Sequence, residues 1–526
     1  MRKRPYPFSV IISFLAFLHS ANVAAEHPSK DSKGRVSRAE RWGEWKLARK
    51  VPSELQETPE ALRDAGQDSV VVVNDVSRLN PVHASNLVHV REISDIQEAV
   101  RIAREKGLNI SIAGKRHSQG GHIGYDRAVV LDMLTFNKIV ALDREQKVIT
   151  VQSGATWEQI QEYINPYGLA IKVMQASNIF TVGGSLGSNV HGDDPRFGPL
   201  IETVKSFRLL TADGSILHVS RTEHPELFRL AIGGFGLFGV ILDVELELTD
   251  NDIYQGTSIV MDYQTYPEYF VKHIKQDPSV VIHSAKLSIA PESLLREIVL
   301  TTFKKTDEKL KGITGLQSEQ HVGRNRFLFA LSRSSRWGKS VRWMLQKRLE
   351  MKVGQTQLAC RNNVMRPIIK FLEYHSAKDT DILQEYFVPV ENFVGFVDGL
   401  RDIIKKDGVN LTSVTVRYVP QQNEAQLAYA KRDSLAVVLY INQKLSQEGI
   451  EKAEMWTRKL VDLALREGGT YYLTYQLYPT LTQIRQAYPR INFFFQEKRT
   501  YDPKGLFMNK FYGKYADILN APKNAS

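Results

Sequence analysis

One short stretch of the sequence collects several residue types that bind anions. Residues Ser111–Gly121 read S-I-A-G-K-R-H-S-Q-G-G and follow an apolar segment. The three glycines allow close backbone approach, and successive N–H groups in such a turn form an anion nest. Lys115 and Arg116 add positive charge, and Ser118 adds a hydroxyl donor, so a diphosphate fits this set. The alternative is an ordinary glycine turn with surface cations.

A second stretch favours the diphosphate interpretation. Residues Thr181–Gly192 read T-V-G-G-S-L-G-S-N-V-H-G and predict another loop that is rich in donors and open to backbone approach. Two such loops in one domain, each after an apolar segment, suit a large flat cofactor held at both ends.

A third glycine cluster matches the pattern G-x-G-x-x-G at Gly234–Gly239. In a dinucleotide-binding fold this pattern follows a strand and opens a helix, so that phosphate meets the helix N-terminus. Here a helix-like segment precedes the glycines and an alternating strand, Val240–Leu248, follows them. A tight turn is the better interpretation, and a nicotinamide-dependent dehydrogenase is disfavoured.

The elements around these stretches change character near Asn251. Before it, short strands and helices alternate in a β-α-β rhythm; the apolar spacing in Ser94–Lys106 predicts a helix capped by Ser94 and closed by Gly107. After it, longer strands predict a mixed or antiparallel sheet with helices on one side. The predicted strands are Ser258–Tyr263, Val280–Ile289, Glu297–Lys304, Asp381–Val388, Thr412–Val419 and Leu435–Asn442. The basic stretch Lys304–Lys352 is interpreted as an insertion of helices and loops, and Gln483–Tyr515 as turn-rich.

Composition limits the classes of protein. A chain of 526 residues predicts two or three domains. The net charge is +11, of which Arg2–Arg4 supply three charges, and no long basic run follows, so a nucleic-acid partner is not expected. Cys360 is the only cysteine, which excludes an intramolecular disulfide and a Cys-ligated zinc or iron–sulfur site; no metal is predicted.

The first 25 residues resemble a secretory signal. Arg2–Arg4 lead into the apolar run Phe8–Leu18, and small residues end it at Ala21–Ala25. Cleavage after Ala25 predicts an exported protein, periplasmic or secreted, with no stable membrane span. The alternative is an uncleaved anchor, for which the apolar run is short. Residues 26–66 are predicted to be a polar leader segment.

Residues from about Pro81 to Asp250 resemble the flavin-binding domain of the vanillyl-alcohol oxidase / p-cresol methylhydroxylase (PCMH-type) superfamily. The resemblance is carried, in order, by the helix Ser94–Lys106, the turn A-G-K-R-H-S-Q-G-G, S-G-A-T-W at Ser153–Trp157, T-V-G-G-S-L-G-S-N-V-H-G, T-A-D-G at Thr211–Gly214 and F-G-L-F-G-V-I at Phe235–Ile241. It implies an α+β fold in which two α+β subdomains bind FAD (67–250), followed by a substrate domain (251–482) and a C-terminal segment that packs back (483–526).

The resemblance also implies how FAD is bound. In many members of the superfamily the histidine of this turn is bonded to the flavin 8α-carbon, and His117 stands at that position; the alternative is a hydrogen bond near the ring. His122 and His191 are weaker candidates, which we expect to stabilise turns. The implied cofactor-binding residues are Gly114, Lys115, Arg116, His117, Ser118, Gln119, Gly183, Gly184, Ser185, Ser188, Asn189, Gly192, Val240 and Ile241.

The C-terminal half is most similar to members that oxidise alditols, aldonolactones and sugar C–OH groups. The matched phrases are Q-E-Y-F-V-P from Gln384, V-R-Y-V from Val416, A-K-R-D-S from Ala430 and Y-D-P-K-G-L-F from Tyr501. Strand period predicts that Gln384 and Tyr386 share one face and that Thr415 and Arg417 share another, both toward the flavin.

The sequence departs from these relatives at two positions. Lactone- and alditol-oxidising members often carry a glutamate two residues before the arginine, where this chain has Thr415. Sugar-epimerising members carry a lysine where this chain has Tyr475. The substrate-clamping carboxylate is therefore expected to be absent, which puts the substrate class in doubt.

The expected function is FAD-dependent oxidation of the C–OH group of a polyol, sugar or lactone. Arg417 is predicted to polarise the substrate oxygen or stabilise reduced flavin, Tyr475 or Tyr386 to relay the proton, and Gln384 to orient the hydroxyl. The partners are a small alcohol or sugar and O₂ or another electron acceptor. The alternative is a flavin- or carbohydrate-binding module without turnover. A peptidoglycan reductase is a weaker match, because the downstream half does not resemble that family.

Overall fold

The computed structural model describes residues 71–308, 315–318, 322–356, 358–366 and 374–520. The predicted signal segment and leader lie outside these residues. The described chain contains nineteen strands: β1 Val71–Val73, β2 Val82–Ala84, β3 Asn86–His89, β4 Ile110–Ala113, β5 Val129–Asp132, β6 Ile139–Asp143, β7 Val148–Gln152, β8 Leu169–Ile171, β9 Val204–Leu210, β10 Ile216–Ser220, β11 Val240–Asp250, β12 Ile253–Asp262, β13 Val280–Leu287, β14 Glu297–Lys305, β15 Leu358–Cys360, β16 Asp379–Pro389, β17 Leu411–Val419, β18 Ser434–Lys444 and β19 Thr470–Tyr471.

Thirteen α-helices connect or cover the strands of the described residues. They are α1 Ile93–Lys106, α2 Trp157–Ile164, α3 Val182–Ser188, α4 Pro225–Ala231, α5 Tyr266–Phe270, α6 Val322–Ser334, α7 Arg336–Thr356, α8 Arg361–Val364, α9 Phe393–Asp407, α10 Gln447–Arg466, α11 Leu481–Ala487, α12 Ile491–Tyr501 and α13 Lys510–Asn520. Among the described helices, none combines the length and the apolar content needed to cross a membrane.

Two α+β units form the N-terminal half. In the first, β3, β5 and β4 form a parallel sheet that carries α1. In the second, β10, β9, β11, β7 and β6 form an antiparallel sheet, and β8 pairs with β11. The predicted helix α1 is confirmed, but its cap is not Ser94. The N-cap is Glu92, two residues earlier, which forms a capping box with Asp95, and Gly107 ends the helix with a φ of 65°.

The C-terminal half is built on one sheet of eight antiparallel strands, in the order β15-β12-β14-β13-β17-β18-β16-β19. The six strands predicted for this region are all present. Helices α9 and α10 cover one face through apolar stripes that include Phe396, Leu400 and Leu460. Two helices, α6 and α7, occupy the predicted insertion, and α7 contacts β12 and β14 of the same sheet.

The C-terminal segment differs from its turn-rich prediction because it forms helices α11, α12 and α13. Between α12 and α13 the chain returns to the parallel sheet: Phe507 pairs with Ile110, and the Ser111 hydroxyl donates to the Met508 carbonyl at 2.6 Å. Asn509 donates to the Phe235 carbonyl at 3.0 Å. This segment therefore buttresses the two glycine-rich turns around residues 114 and 236.

Candidate functional site

A cavity of about 470 Å³ lies between the N-terminal turns and the eight-stranded sheet. Its walls come from the turn after β4, from α3, from the turn between α4 and β11, and from one face of β13, β17, β18 and β16. This volume lies in the range of pockets that bind cofactors and small molecules.

The turn after β4 presents free backbone donors to this cavity. The N–H groups of residues 115–118 have no acceptor in the described chain, and Arg116 has a φ of 58°, the left-handed conformation of an anion nest. A Cβ on Gly114 would lie 2.3 Å from the Thr181 hydroxyl oxygen, so only glycine fits there. The turn thus suits a phosphate group, although Arg116 itself is paired with Asp132 at 3.0 Å.

His117 lines the cavity with its ring edge against Phe180, at 4.9 Å between ring centroids. Burial, with the nearby charge of Lys115, lowers its pKa to about 4. The imidazole is therefore neutral at physiological pH and keeps a nitrogen lone pair. That is the state needed for a bond to a cofactor carbon or for a hydrogen bond to it.

The predicted second loop is in fact helix α3, which the side chain of Thr181 caps by accepting from Gly184 N at 3.3 Å. Of the residues predicted here, Gly183, Gly184 and Ser188 line the cavity. Three others lie outside its lining. Ser185 bonds to Trp157 at 3.0 Å, Asn189 ends α3 with a φ of 48°, and Gly192 lies beyond the helix.

Of the remaining predicted cofactor residues, some line the cavity and some do not. Ile241 lines it, whereas Val240 points into the core between the two units. Gln119 is buried, and its side-chain oxygen accepts from Leu383 N at 2.7 Å, so it links the turn to the sheet. The G-x-G-x-x-G cluster forms a tight turn with a φ of 73° at Gly236, after α4 and before β11, as expected for a cluster that is not a dinucleotide fingerprint.

On the sheet side of the cavity, strand pairing aligns the lining residues in a row. Lys286 pairs with Thr415, Thr415 with Val438, and Val438 with Glu385, so four residues form one row across four strands. All four line the cavity. Arg417 lies two residues along β17 from Thr415 and faces the same way, as predicted.

A buried charge cluster stands at one end of this row. Glu385 Oε1 and His191 Nε2 are 2.6 Å apart, and both side chains are 4% exposed. Arg417 pairs with Asp193 at 2.8 Å, and the Tyr475 hydroxyl lies 3.4 Å from the second oxygen of Glu385. His191 Nδ1 lies 3.3 Å from the Gly192 carbonyl, so both ring nitrogens of His191 lie beside an oxygen.

These neighbours determine the charge states. Burial raises the pKa of Glu385, but His191 and Arg417 outweigh it and hold the pKa below its usual value. Burial opposes the charge of Arg417, yet the carboxylates of Asp193 and Glu385 raise its pKa overall. Burial, with the charge of Glu385, raises the pKa of Tyr475 far above its usual value, so this phenol keeps its proton and can donate it in a hydrogen bond.

The predicted placement of Gln384 and Tyr386 is wrong. Gln384 donates to the Thr457 hydroxyl of α10 at 2.7 Å and accepts from the Tyr386 hydroxyl at 2.6 Å, on the opposite face of β16. Because side chains alternate along a strand, the residue between them, Glu385, faces the cavity instead. The carboxylate two residues before Arg417 is absent, as expected, but the cavity gains another carboxylate from the neighbouring strand β16.

Sequence reasoning missed Glu385 and gave His191 only a structural role. Both faces of β16 are buried, so hydrophobicity could not tell which face lined a site. The sequence did contain a signal, namely the glutamate itself. A carboxylate in an otherwise apolar buried strand needs a partner and therefore indicates a polar site.

Comparison with known proteins supports the assignment of the N-terminal half. Residues 84–220 match the FAD binding domain family. The chain is 31% identical over 175 residues to mitochondrial L-galactono-1,4-lactone dehydrogenase of Arabidopsis thaliana, covering 33% of this chain and 28% of that protein. It is 27% identical over 184 residues to L-gulonolactone oxidase of Bos taurus (35% and 42%), and 30% identical over 159 residues to decaprenylphosphoryl-beta-D-ribose oxidase of Mycolicibacterium smegmatis (30% and 35%).

Residues 84–220 are therefore an FAD binding domain of the PCMH-type superfamily, and the resemblance deduced from the sequence is confirmed. FAD is the cofactor of this domain. The aligned part of the chain spans less than half the length of these relatives.

Proposed function

We propose that the chain is an FAD-dependent oxidoreductase that oxidises a C–OH group of a polyol, sugar or sugar lactone. The observation that carries the proposal is the single cavity shared by the phosphate-binding turn, His117 and the charge cluster around Glu385. The relatives support it, because their names describe oxidases and dehydrogenases of sugar lactones and of a sugar derivative.

FAD, when bound, supplies a hydride acceptor. The residues of the chain supply the rest. Glu385 accepts the hydroxyl proton at Oε2, the oxygen that His191 leaves available. Arg417 holds the substrate oxygen and stabilises negative charge that develops on it.

Two further groups prepare this site. His191 is a positioning residue, because its 2.6 Å contact fixes the carboxylate of Glu385. Tyr475 keeps its proton and donates a hydrogen bond either to Glu385 or to the substrate. Glu385 and His191 are buried, and Arg417 is only 14% exposed, so little bulk water reaches the site of transfer.

The function is tested by anaerobic bleaching of the flavin absorbance with a panel of donors. The panel contains L-galactono-1,4-lactone, L-gulono-1,4-lactone, D-arabinono-1,4-lactone, linear polyols and free sugars. We expect at least one donor to bleach the flavin, and Arg417→Ala to abolish bleaching while FAD stays bound. Failure of every donor with a fully loaded protein would favour the alternative of a binding module without turnover.

We propose that His117 is bonded to the 8α-carbon of FAD. The neutral ring in the cavity wall supports this. After acid denaturation, yellow fluorescence should remain with the polypeptide of the wild type and of His122→Ala and be lost from His117→Ala. Loss from His122→Ala instead would move the bond to that histidine, and loss from the wild type would exclude it.

We also propose that the protein is exported after cleavage behind Ala25. The basic start and the short apolar run of the first 25 residues support this. The mass of the mature N-terminus and the fractionation of the expressing cells test it. A product that retains Met1 in the cytoplasm would refute the proposal.

A further inference from the structure

The cavity continues along the sheet face beyond the charge cluster, beneath helices α6 and α7. Phe329 from α6 and Arg342 and Gln346 from α7 form its roof there. Ser413 and Tyr440, which are paired across β17 and β18, form its floor. This far end is polar and is separate from the turns that hold FAD.

Arg342 is the unusual residue of this end. Its guanidinium lies 4.0 Å from the centre of the Phe329 ring and donates to the Ser332 hydroxyl at 3.2 Å and to the Thr412 carbonyl. None of these partners is negatively charged. Burial, with the nearby charge of Arg333, lowers the pKa of Arg342 to about 9, as expected for a cation without a counter-ion.

The carboxylates of this region are already paired with other cations. Arg333 forms an ion pair with Asp381, and Lys286 forms one with Glu350. Within the described residues no acidic side chain pairs with Arg342. Asp381 is near enough to attract it but is paired with Arg333, so this end of the cavity carries an excess of one positive charge. A buried charge without a partner is costly, and a ligand of opposite charge relieves that cost.

Strand order sets the distance from this charge to the reaction centre. Arg342 is tied to β17 through Thr412, whereas Glu385 lies on β16, two strands away. Two strand spacings amount to roughly 10 Å, and Thr412 lies three residues along β17 from the row of Glu385, which adds roughly 10 Å in the perpendicular direction. Tyr440 lies closer to Glu385, one strand across and two residues along, or roughly 8 Å, so a substrate that reacts at Glu385 can extend over Tyr440 toward Arg342.

We propose that the far end of the cavity binds an anionic group of the substrate, a carboxylate or a phosphate, through Arg342. This inference rests on the function proposed above and narrows the substrate class from neutral polyols and lactones to sugar acids or sugar phosphates. Gln346 and Tyr440 are placed to donate further hydrogen bonds to the oxygens of that group.

The experiment compares matched pairs of probes on the FAD-loaded protein. D-Gluconate is compared with D-glucitol, and D-ribose 5-phosphate with D-ribose; each pair differs in the anionic group. Binding is measured by perturbation of the flavin absorbance and by the shift of the thermal midpoint. The wild type should bind at least one anion about 10- to 100-fold more tightly than its neutral counterpart, as expected for a hydrogen bond to a charged group. Which pair shows the difference distinguishes carboxylate from phosphate.

Two variants locate the effect. Arg342→Met should reduce the preference for the anion to less than threefold, whereas Arg348→Met, an exposed position on the same helix, should leave it intact. Arg342→Lys, which keeps the charge, should retain part of the preference and serves if the methionine variant does not fold. Equal affinity for both members of each pair in the wild type would overturn the proposal, as would a preference that survives in Arg342→Met.

The result is separable from the proposed oxidation. A protein that oxidises neutral donors but shows no preference for anions retains the function and loses only the anion site. A protein that binds anions at Arg342 but is not bleached by any donor loses the oxidation and retains the site.

Discussion

Replacing Glu385 with glutamine tests the reaction centre most directly. The change keeps the shape of the side chain and removes its charge and its ability to accept a proton. Two unit charges at the observed 2.6 Å between Glu385 and His191 would attract each other by about 6 kcal/mol at an effective dielectric constant of about 20. Desolvation offsets part of this, and breaking such a buried pair costs about 3–5 kcal/mol.

The rate effect follows from the loss of the base. General base catalysis contributes typically about 10²- to 10⁴-fold, so the rate of anaerobic flavin reduction in Glu385→Gln should fall by that factor. FAD content should stay near that of the wild type, because Glu385 is on the sheet and not on the turns that are predicted to hold the cofactor. Glu391→Gln, an exposed position just beyond the same strand, is the control and should reduce flavin at the normal rate.

A double variant separates catalysis from packing. If His191 acts only by positioning Glu385, then His191→Asn combined with Glu385→Gln should be no slower than Glu385→Gln alone. A Glu385→Gln protein that binds FAD and reduces it within threefold of the wild-type rate would refute the assignment of the base.

The same pair predicts a dependence of stability on pH. The folded state lowers the pKa of Glu385 below its ordinary value of 4.5, so the unfolded chain binds more protons in acid. The stability difference between the wild type and Glu385→Gln should therefore be fully present above about pH 4.5 and should shrink as the pH falls through the folded pKa. Thermal unfolding from pH 3 to pH 7 measures it, and a difference independent of pH would contradict the ion pair.

Three further predictions concern the walls of the site. Gly114→Val should displace the side chain of Thr181, remove a helix cap worth about 1 kcal/mol and lower the FAD content of the purified protein, measured by its visible absorbance; full occupancy would contradict the close fit. Tyr386→Phe should cost about 1–3 kcal/mol, because it leaves a buried oxygen of Gln384 without its donor, yet leave kcat unchanged; a large fall in kcat would return Tyr386 to the site. Because the pKa of His117 falls to about 4 on folding, the FAD-free protein should lose stability as the pH drops from 6.5 to 4, and His117→Gln should flatten that slope in thermal unfolding.

Much of the fold could be predicted from local sequence. The helix Ile93–Lys106 and the long C-terminal strands were found within a few residues of their ends, because apolar period and glycine stops determine them directly. The glycines of Thr181–Gly192 were misinterpreted as a loop. There a capping threonine and tight packing against Ser153 stabilise a helix that glycine propensity alone disfavours.

The residues that line the cavity were predicted correctly where they belong to a glycine-rich turn, and were missed where the face of a strand decides. The turn around His117 needed only glycines and donors, which are visible in sequence. On β16 both faces are buried, one against α10 and one against the cavity, so the apolar pattern carries no information about which residues line the site. The prediction chose the wrong face of the strand, and therefore named Gln384 and Tyr386 where Glu385, the residue between them, lines the cavity.

Strand register relates Glu385 to the position on β17 at which the sequence has Thr415 and similar proteins often have a glutamate. Thr415 and Glu385 belong to the same transverse row, separated by Val438, so the row still contains a carboxylate, displaced by two strands or roughly 10 Å. Thr415 is smaller than a glutamate beside Arg417. The row begins at Lys286 and ends at Glu385. A substrate lying along it would meet Glu385 at one end and the ion pair of Lys286 with Glu350 at the other. Under the function proposed above, the departure at Thr415 would change the orientation of the substrate in the cavity and would not remove the base.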